Sequence, residues 1–170
     1  MERPSKTFFQ RVQARIGMPR LLRAMTWYPP FLGAGIKVVS VRDDLSSLTI
    51  ELKHSMATQN VVGTQFGGSI YSMCDPWLMV MLWSRLGDDC VVWDKAATVR
   101  FLKPGRTRLR ATFELNDAQV ARVRHELDTT GKSEPVFVVN VVDEAGVTVA
   151  TVEKVLHAHK PSMKPKPQGV

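Results

Sequence analysis

The fold is decided by Gly67-Gly-Ser-Ile-Tyr-Ser-Met-Cys-Asp75-Pro-Trp-Leu-Met-Val-Met-Leu-Trp-Ser-Arg-Leu86, a segment whose apolar residues recur with helical spacing. The recurring positions are Ile70, Met73, Cys74, Trp77, Leu78, Met81 and Leu82. Tyr71, Val80 and Trp83 fill much of the remaining circumference. The pattern therefore predicts one long helix that is buried nearly all round.

Asp75 is the unusual residue of this helix, because an unpaired carboxylate among apolar side chains is costly. Two interpretations are open. Asp75 and Pro76 could simply begin a turn or a helix, or Asp75 could serve as a nucleophile or general base. Gly67 and Gly68 favour the second, since helix N-terminal N–H groups behind two glycines can approach a developing oxyanion closely. Asn60 adds a side-chain amide that could orient a water or a carbonyl.

These groups are the parts of an acyl-transfer site, but they are not those of a serine or cysteine hydrolase. The sequence contains no Gly-x-Ser-x-Gly elbow. Cys74 and Cys90 have no obvious histidine partner nearby in the sequence. Asp75 is therefore the candidate catalytic group.

The run Asn60-Val-Val-Gly63-Thr-Gln-Phe66-Gly67-Gly68-Ser-Ile-Tyr-Ser-Met-Cys-Asp75 resembles the active-site segment of hotdog-fold acyl-CoA thioesterases of the phenylacetate-pathway type. Their pattern is Asn, then His-Gly-Gly, then Asp on the central helix. A narrower resemblance, over residues 66–71 and 91–104, is to a bacterial hotdog family labelled as a domain of unknown function. The resemblance implies that Asp75 activates the hydrolytic water or attacks the thioester, that the N–H of Gly67 or Gly68 polarises the carbonyl, and that Asn60 positions one of them.

Phe66 departs from the thioesterase pattern, because it stands where those enzymes have histidine. A phenyl ring neither titrates nor forms ordinary hydrogen bonds, so we expect Phe66 to line an apolar acyl pocket. We also include Gly63 and Tyr71 among the predicted substrate-binding residues. The alternative function is a non-catalytic hotdog protein that binds an acyl chain or acyl thioester, with Asp75 as a structural or anchoring acid. The enzyme is favoured because the carboxylate, the amide and both glycines are all kept.

The rest of the chain predicts a sheet around this helix. Period-two patterns mark strands at 35–42, 48–52, 91–102, 108–115, 136–142 and 147–157, and an amphipathic helix spans 117–128. This order predicts an α+β hotdog fold, with an antiparallel sheet wrapped around one long central apolar helix. We assign 1–33 to an N-terminal basic amphipathic helical extension, 34–159 to the hotdog domain and 160–170 to a disordered tail.

The net charge of +7 comes from the N-terminal quarter, where residues 1–42 hold eight Lys or Arg against one acid. Three interpretations compete for this segment: a structural helix packed across the sheet, a membrane-surface segment, or a removable transit peptide. We favour the structural helix. A nucleic-acid partner is not expected, because no recognisable binding motif accompanies the charge.

A second basic cluster follows the long strand. Lys103, Arg106 and Arg108 could contact the phosphates of coenzyme A, because arginine favours bidentate phosphate contacts. An exposed strand carrying charge for solubility is the equal alternative. Asp94 and Lys95 point to opposite faces of one strand. An inter-subunit salt bridge is as good an explanation of this pair as catalysis.

Composition indicates a soluble globular domain, with 44% hydrophobic and 23% charged residues and no membrane-spanning apolar run. Two cysteines form no disulfide framework and suit a cytoplasmic location. The four histidines show no metal-ligand pattern, and we expect neither a metal nor a prosthetic group. Expected partners are an acyl-CoA or acyl carrier protein thioester, with coenzyme A as part of the substrate, and a second copy of the chain in a homodimer or dimer of dimers.

Overall fold

The computed structural model describes residues 16–161 of the chain. Its helices are α1 (Met18–Ala24), α2 (Pro29–Ala34), α3 (Gly67–Ser72), α4 (Trp77–Leu86) and α5 (Asp117–Thr130), with a 3-10 turn at Met25–Trp27. Its strands are β1 (Ile36–Val41), β2 (Ser47–Leu52), β3 (Val91–Phe101), β4 (Leu109–Glu114), β5 (Lys132–Ser133), β6 (Val136–Val142) and β7 (Thr148–His159). The six predicted strands and the helix near 117–128 are all present, and the short β5 is an addition.

The strands form one antiparallel sheet in the order β1-β2-β4-β6-β7-β3, with β5 paired to β7. Because side chains alternate across a strand, Leu109, Ala111 and Phe113 of β4 are fully buried while their neighbours are exposed. The core therefore lies between the inner face of the sheet and α4. The two edge strands are β1 and β3, and the side chains of β3 are mostly exposed.

The helices before β1 pack onto this domain. Leu22 of α1 and Phe31 of α2 are buried, and the Phe31 ring lies 5.4 Å from the ring of Trp77 in α4. Arg23 stays at the surface, where it pairs with Asp43 at 2.9 Å. In the described part of this segment, apolar side chains therefore pack onto the domain and Arg23 lies at its surface. Residues 1–15 of the predicted extension and 162–170 of the predicted tail lie outside the described residues.

The central helix differs from the prediction, because it is two helices rather than one. α3 ends at Ser72 and α4 begins at Trp77. Pro76 explains the interruption, since proline offers no N–H to a helix and disfavours helical backbone at the residue before it. The Trp77 indole N–H instead donates to the Met73 carbonyl oxygen at 2.8 Å across the break.

The seven apolar residues that predicted the helix are nevertheless all buried. Asp75 is not: it occupies the turn between α3 and α4, and its side chain keeps 46% of its surface exposed. The expectation of a carboxylate buried nearly all round was therefore wrong. In this turn, Asp75 lies outside the apolar helix surface and close to the edge of the sheet.

Candidate active site

Asp75 belongs to an ionic cluster of three side chains from three elements. Lys154 of β7 has no exposed side-chain surface, and its Nζ lies 3.0 Å from Asp75 Oδ1 and 3.0 Å from Asp94 Oδ1 of β3. The contact with Asp75 is a hydrogen bond donated by the ammonium group. The Tyr71 ring of α3 lies against the same group, with its centroid 5.4 Å from Nζ.

Strand register brings this cluster together. Lys154 lies on the same face of β7 as the buried residues Val152 and Leu156. Asp94 is paired with Leu156, and a register shift between Asp94 and Ala96 follows immediately. Asp94 therefore faces inward toward Lys154.

Lys95 points the other way and pairs with Glu134 at 2.6 Å on the surface. Both members of the Asp94-Lys95 pair thus have partners within the chain. An inter-subunit salt bridge is not needed to explain either of them.

Two acids share one base in this cluster. Burial raises the pKa of Asp94, and the nearby Asp75 also raises it, while Lys154 opposes the shift. Burial by itself lowers the pKa of Lys154, but its contacts with Asp94 and Asp75 outweigh this and hold the pKa above the ordinary value. Lys154 is therefore a cation at neutral pH and cannot act as a general base there.

The cysteines are unsuited to nucleophilic catalysis. Cys74, next to Asp75, is fully buried, and burial raises the pKa of its thiol to about 12. Burial also raises the pKa of Cys90. Since the thiolate is the reactive form, both residues are protonated and unreactive at neutral pH.

Gly67 and Gly68 begin α3, so their N–H groups have no partner within the helix. Two exposed phenyl rings lie over them. A Cβ atom on Gly67 would lie 3.1 Å from the Phe101 ring, and one on Gly68 would lie 2.5 Å from the Phe66 ring. The lack of a side chain at both glycines thus lets the rings come this close to the backbone, and a Cβ atom would press against them. The arrangement places an apolar surface directly beside candidate oxyanion donors.

Asn60 organises the loop that leads to these glycines. Its Oδ1 accepts hydrogen bonds from the N–H groups of Val62 and Thr64, each at 3.1 Å, and its Nδ2 donates to Thr64 Oγ1 at 2.9 Å. Gly63 supplies the left-handed backbone of the same loop, with φ of 75°. The amide of Asn60 is therefore engaged with the loop, and its contact with a water or a carbonyl stays a prediction, as does substrate contact by Gly63.

The basic loop lies beside the glycine end of α3. Gln65, two residues before Gly67, donates its N–H to the Gly105 carbonyl oxygen at 2.8 Å. This bond fixes Lys103 and Arg106, which are both exposed, close to the start of α3. They are available to a phosphate-bearing ligand that reaches the glycines.

Arg108 has a different environment. It lies 3.8 Å from Glu51 and 3.9 Å from Glu144, while the neighbouring Arg110 binds Glu51 at 2.6 Å. These acids partly neutralise the outer face of β4. Arg108 is therefore less free to bind phosphate than the two residues of the loop.

The predicted site residues form two groups within one chain. The glycine group touches Phe101 at one end of β3, whereas Asp75 is linked through Lys154 to Asp94 near the other end. These two β3 residues are seven apart, which is roughly 23 Å along a strand. The mostly helical path from Gly67 to Asp75 gives a separation of about 12 Å. Within one chain the glycines and the Asp75 carboxylate therefore lie well apart along the sheet.

Lys154 is the site residue that sequence reasoning missed. The sequence did contain a signal for this residue. Lys154 occupies an inward position in the alternating pattern of Thr148–His159, where an apolar residue is expected. A lysine at such a position requires a buried acid as its partner.

Comparison with known sequences places the chain in a family. The sequence profile of DUF4442, a domain of unknown function, matches residues 19–157. The chain belongs to the DUF4442 family. This confirms the narrower of the two resemblances, to a hotdog family without an assigned function. No curated protein matches the sequence.

Solved structures confirm the hotdog fold. PA5026 from Pseudomonas aeruginosa, described as a probable thioesterase of unknown function, is 15% identical, with a TM-score of 0.74 over 84% of this chain and 97% of that one. Thioesterase HI1161 from Haemophilus influenzae is 12% identical, with a TM-score of 0.61 over 91% and 93%. The E. coli PaaI protein from the phenylacetic acid degradation operon is 19% identical, with a TM-score of 0.55 over 82% and 91%. At these identities the likeness establishes the fold.

Within residues 16–161, none of the helices has both the length and the apolar character needed to cross a membrane. The same part of the chain holds no cluster of three His, Cys, Asp or Glu side chains arranged to bind a metal ion.

Proposed function

We propose that the protein is an acyl-CoA thioesterase in which Asp75 activates water and the N–H of Gly67 or Gly68 stabilises the oxyanion. The observation that carries the proposal is a half-exposed carboxylate held by a fully buried lysine. A carboxylate so placed can be reached by water and substrate while its orientation is fixed from within. The thioesterases among the structural relatives add support at the level of the fold.

The proposed reaction is a direct hydrolysis. Asp75 takes a proton from a water molecule, whose oxygen attacks the thioester carbonyl carbon. The negative charge that develops on the carbonyl oxygen is stabilised by the glycine N–H. The carbon–sulfur bond then breaks, and the products are a carboxylic acid and the coenzyme A thiolate, which takes up the proton held by Asp75 directly or through solvent. Attack by Asp75 itself on the carbonyl carbon is the variant that the same geometry permits.

A homodimer would bring the two halves of this site together. β3 is an edge strand with 11 residues, and antiparallel pairing of two such edges is a common form of symmetric association. Antiparallel pairing sets the Phe101 end of one strand against the Asp94 end of its partner. Gly67 of one copy would then face Asp75 of the other, so each dimer would hold two complete sites.

The surroundings of the glycines favour an apolar acyl group carried on coenzyme A. The rings of Phe66 and Phe101 are 56% and 58% exposed and would cover such an acyl group. Lys103 and Arg106 lie on the adjoining loop, where they could bind the phosphates. Two free, buried cysteines suit a reducing cytoplasm, which is the location we propose.

A second candidate function is acyl-thioester binding without hydrolysis. It is favoured by one observation: Phe66 lies over Gly68, at a position where the thioesterases that this sequence resembles carry a titratable histidine. In that case Asp75 would anchor the ligand rather than activate water.

The deciding experiment is a thiol-release assay of the purified protein against a panel of aliphatic and aromatic acyl-CoAs. Free coenzyme A is trapped colorimetrically. The Asp75→Asn variant is assayed in parallel, and its rate is subtracted as the contribution of contaminating thioesterases. Turnover by the wild type that the variant lacks supports the enzyme and identifies the acyl class. Saturable binding with no turnover across the panel favours the binding protein.

A further inference from the structure

Lys154 is the most deeply buried charged group of the described chain, with no exposed side-chain surface. Taking an ammonium group out of water is strongly unfavourable unless paired acids compensate for it. Here two acids compensate, and only one of them, Asp75, belongs to the proposed reaction. Asp94 remains to be explained.

The two acids differ in exposure. The Asp75 side chain is 46% exposed and that of Asp94 is 22% exposed, while the lysine between them is inaccessible. Both Oδ1 atoms lie 3.0 Å from the same nitrogen, so they cannot be more than twice that distance apart. Asp75 is therefore the more accessible of the two carboxylates.

We propose that Lys154 is a positioning residue of the proposed thioesterase: it holds the Asp75 carboxylate in place, and Asp94 in turn fixes Lys154. The proposal rests on the function proposed above. Lys154 and Asp94 touch neither water nor substrate in this scheme and act only through Asp75. In the proposed reaction, the carboxylate form of Asp75 is the one that accepts a proton from water.

Five side chains from four parts of the fold make up this cluster and its immediate surroundings. They are Tyr71 on α3, Cys74 and Asp75 in the following turn, Asp94 on β3 and Lys154 on β7. Cys74 stays protonated at neutral pH, and Lys154 stays charged. The two carboxylates, those of Asp75 and Asp94, share Lys154 as their cation.

This shared cation predicts opposite effects for two substitutions. Lys154→Met removes the shared cation and leaves two carboxylates facing each other, so the pair should bind its first proton at a pH about one to three units higher than in the wild type. Asp94→Asn removes one anion and leaves Asp75 alone with the lysine. Proton uptake should then move to lower pH, by about one unit. A general loss of stability would not produce shifts of opposite sign.

The measurement is a pH titration of the aspartate carboxyl carbons by NMR, on protein labelled with carbon-13 at aspartate Cγ. Asp75→Asn identifies the resonance of Asp75. Lys95→Met is the matched control, because Lys95 is a neighbouring strand lysine that pairs with Glu134 on the surface. We expect no change in the titration of the Asp75–Asp94 pair in that variant.

If Lys154→Met does not fold, the double variant Asp94→Asn/Lys154→Met replaces it, because that variant removes one charge of each sign. Asp75 should then take up its proton at higher pH than in Asp94→Asn alone. Equal titration in these two variants, or shifts of the same sign in the two single variants, overturns the proposal.

The NMR result does not depend on turnover, so the thioesterase function and the positioning role of Lys154 can be rejected independently of each other. Where turnover is present, the acidic limb of the kcat/KM profile should move in the same direction as the titration, with little change in KM. An inactive wild type with opposite NMR shifts rejects the thioesterase but keeps the coupling among Lys154, Asp75 and Asp94. An active wild type whose acidic limb is unmoved in folded Lys154→Met rejects the positioning role.

Discussion

Lys154 Nζ donates a hydrogen bond to Asp75 Oδ1 at 3.0 Å, although the two residues are 79 positions apart in the chain. The lysine is fully buried and the carboxylate is half exposed. Asp75 is thus held from the inside of the protein and open on the outside. This combination makes it the first residue to test.

Asp75→Asn should abolish turnover and leave the fold intact. The amide keeps the shape of the side chain but cannot accept a proton from water, and loss of a general base costs about 10² to 10⁴ in rate. Thiol release from the best acyl-CoA of the panel, together with circular dichroism, checks this. Asp88→Asn, in the exposed turn after α4, is the control and should retain activity. Retained turnover in Asp75→Asn would remove Asp75 from the mechanism.

Gly67→Pro should remove an oxyanion donor without breaking α3. Gly67 is the first residue of the helix, where proline is tolerated, and Phe66 before it is already extended with ψ of 126°. Loss of one such donor lowers kcat by about 10² to 10³. Gly67→Ala is the matched variant, since it adds a Cβ at the same contact with Phe101 but keeps the N–H. Equal kcat values in the two variants would exclude the Gly67 N–H as a donor.

Two inactive variants should restore activity when they are mixed. Asp75→Asn and Gly67→Pro damage different halves of the site, which lie at opposite ends of β3 in one chain. After unfolding and refolding together, half of the dimers are mixed and each has one intact site, so about a quarter of wild-type activity should return. No recovery, with mixed dimers demonstrated by differently tagged chains, would place both halves of the site in one subunit.

Lys103→Ala and Arg106→Ala should weaken binding of coenzyme A esters selectively. Each removes a charge from the loop beside the glycines, and lost charge-assisted contacts at an exposed site should raise KM by about 3- to 30-fold. The same acyl group on pantetheine, which lacks the nucleotide phosphates, provides the internal control and should be unaffected. The effect should also shrink at high salt. An equal rise in KM for both thioesters would argue against a phosphate contact.

Local sequence patterns predicted most of the fold. Helical spacing identified the buried face of 67–86, and alternation identified six strands, because both periods are set by the backbone geometry of consecutive residues. The interruption at Pro76 was also a local signal, and the prediction of one long helix gave it too little weight. The motif from Asn60 to Asp75 led to the hotdog fold, which the structural comparisons confirm.

The sequence by itself determined which residues are candidates, namely Asp75 and the glycine pair Gly67-Gly68, and the class of fold that presents them. Only the tertiary structure decided that Lys154 holds Asp75, and that the carboxylate and the glycines of one chain lie apart along β3. The physical reason is that strand register, including the shift after Asp94, sets contacts between residues far apart in sequence. No local period records which side chain of β7 will meet which side chain of the turn between α3 and α4.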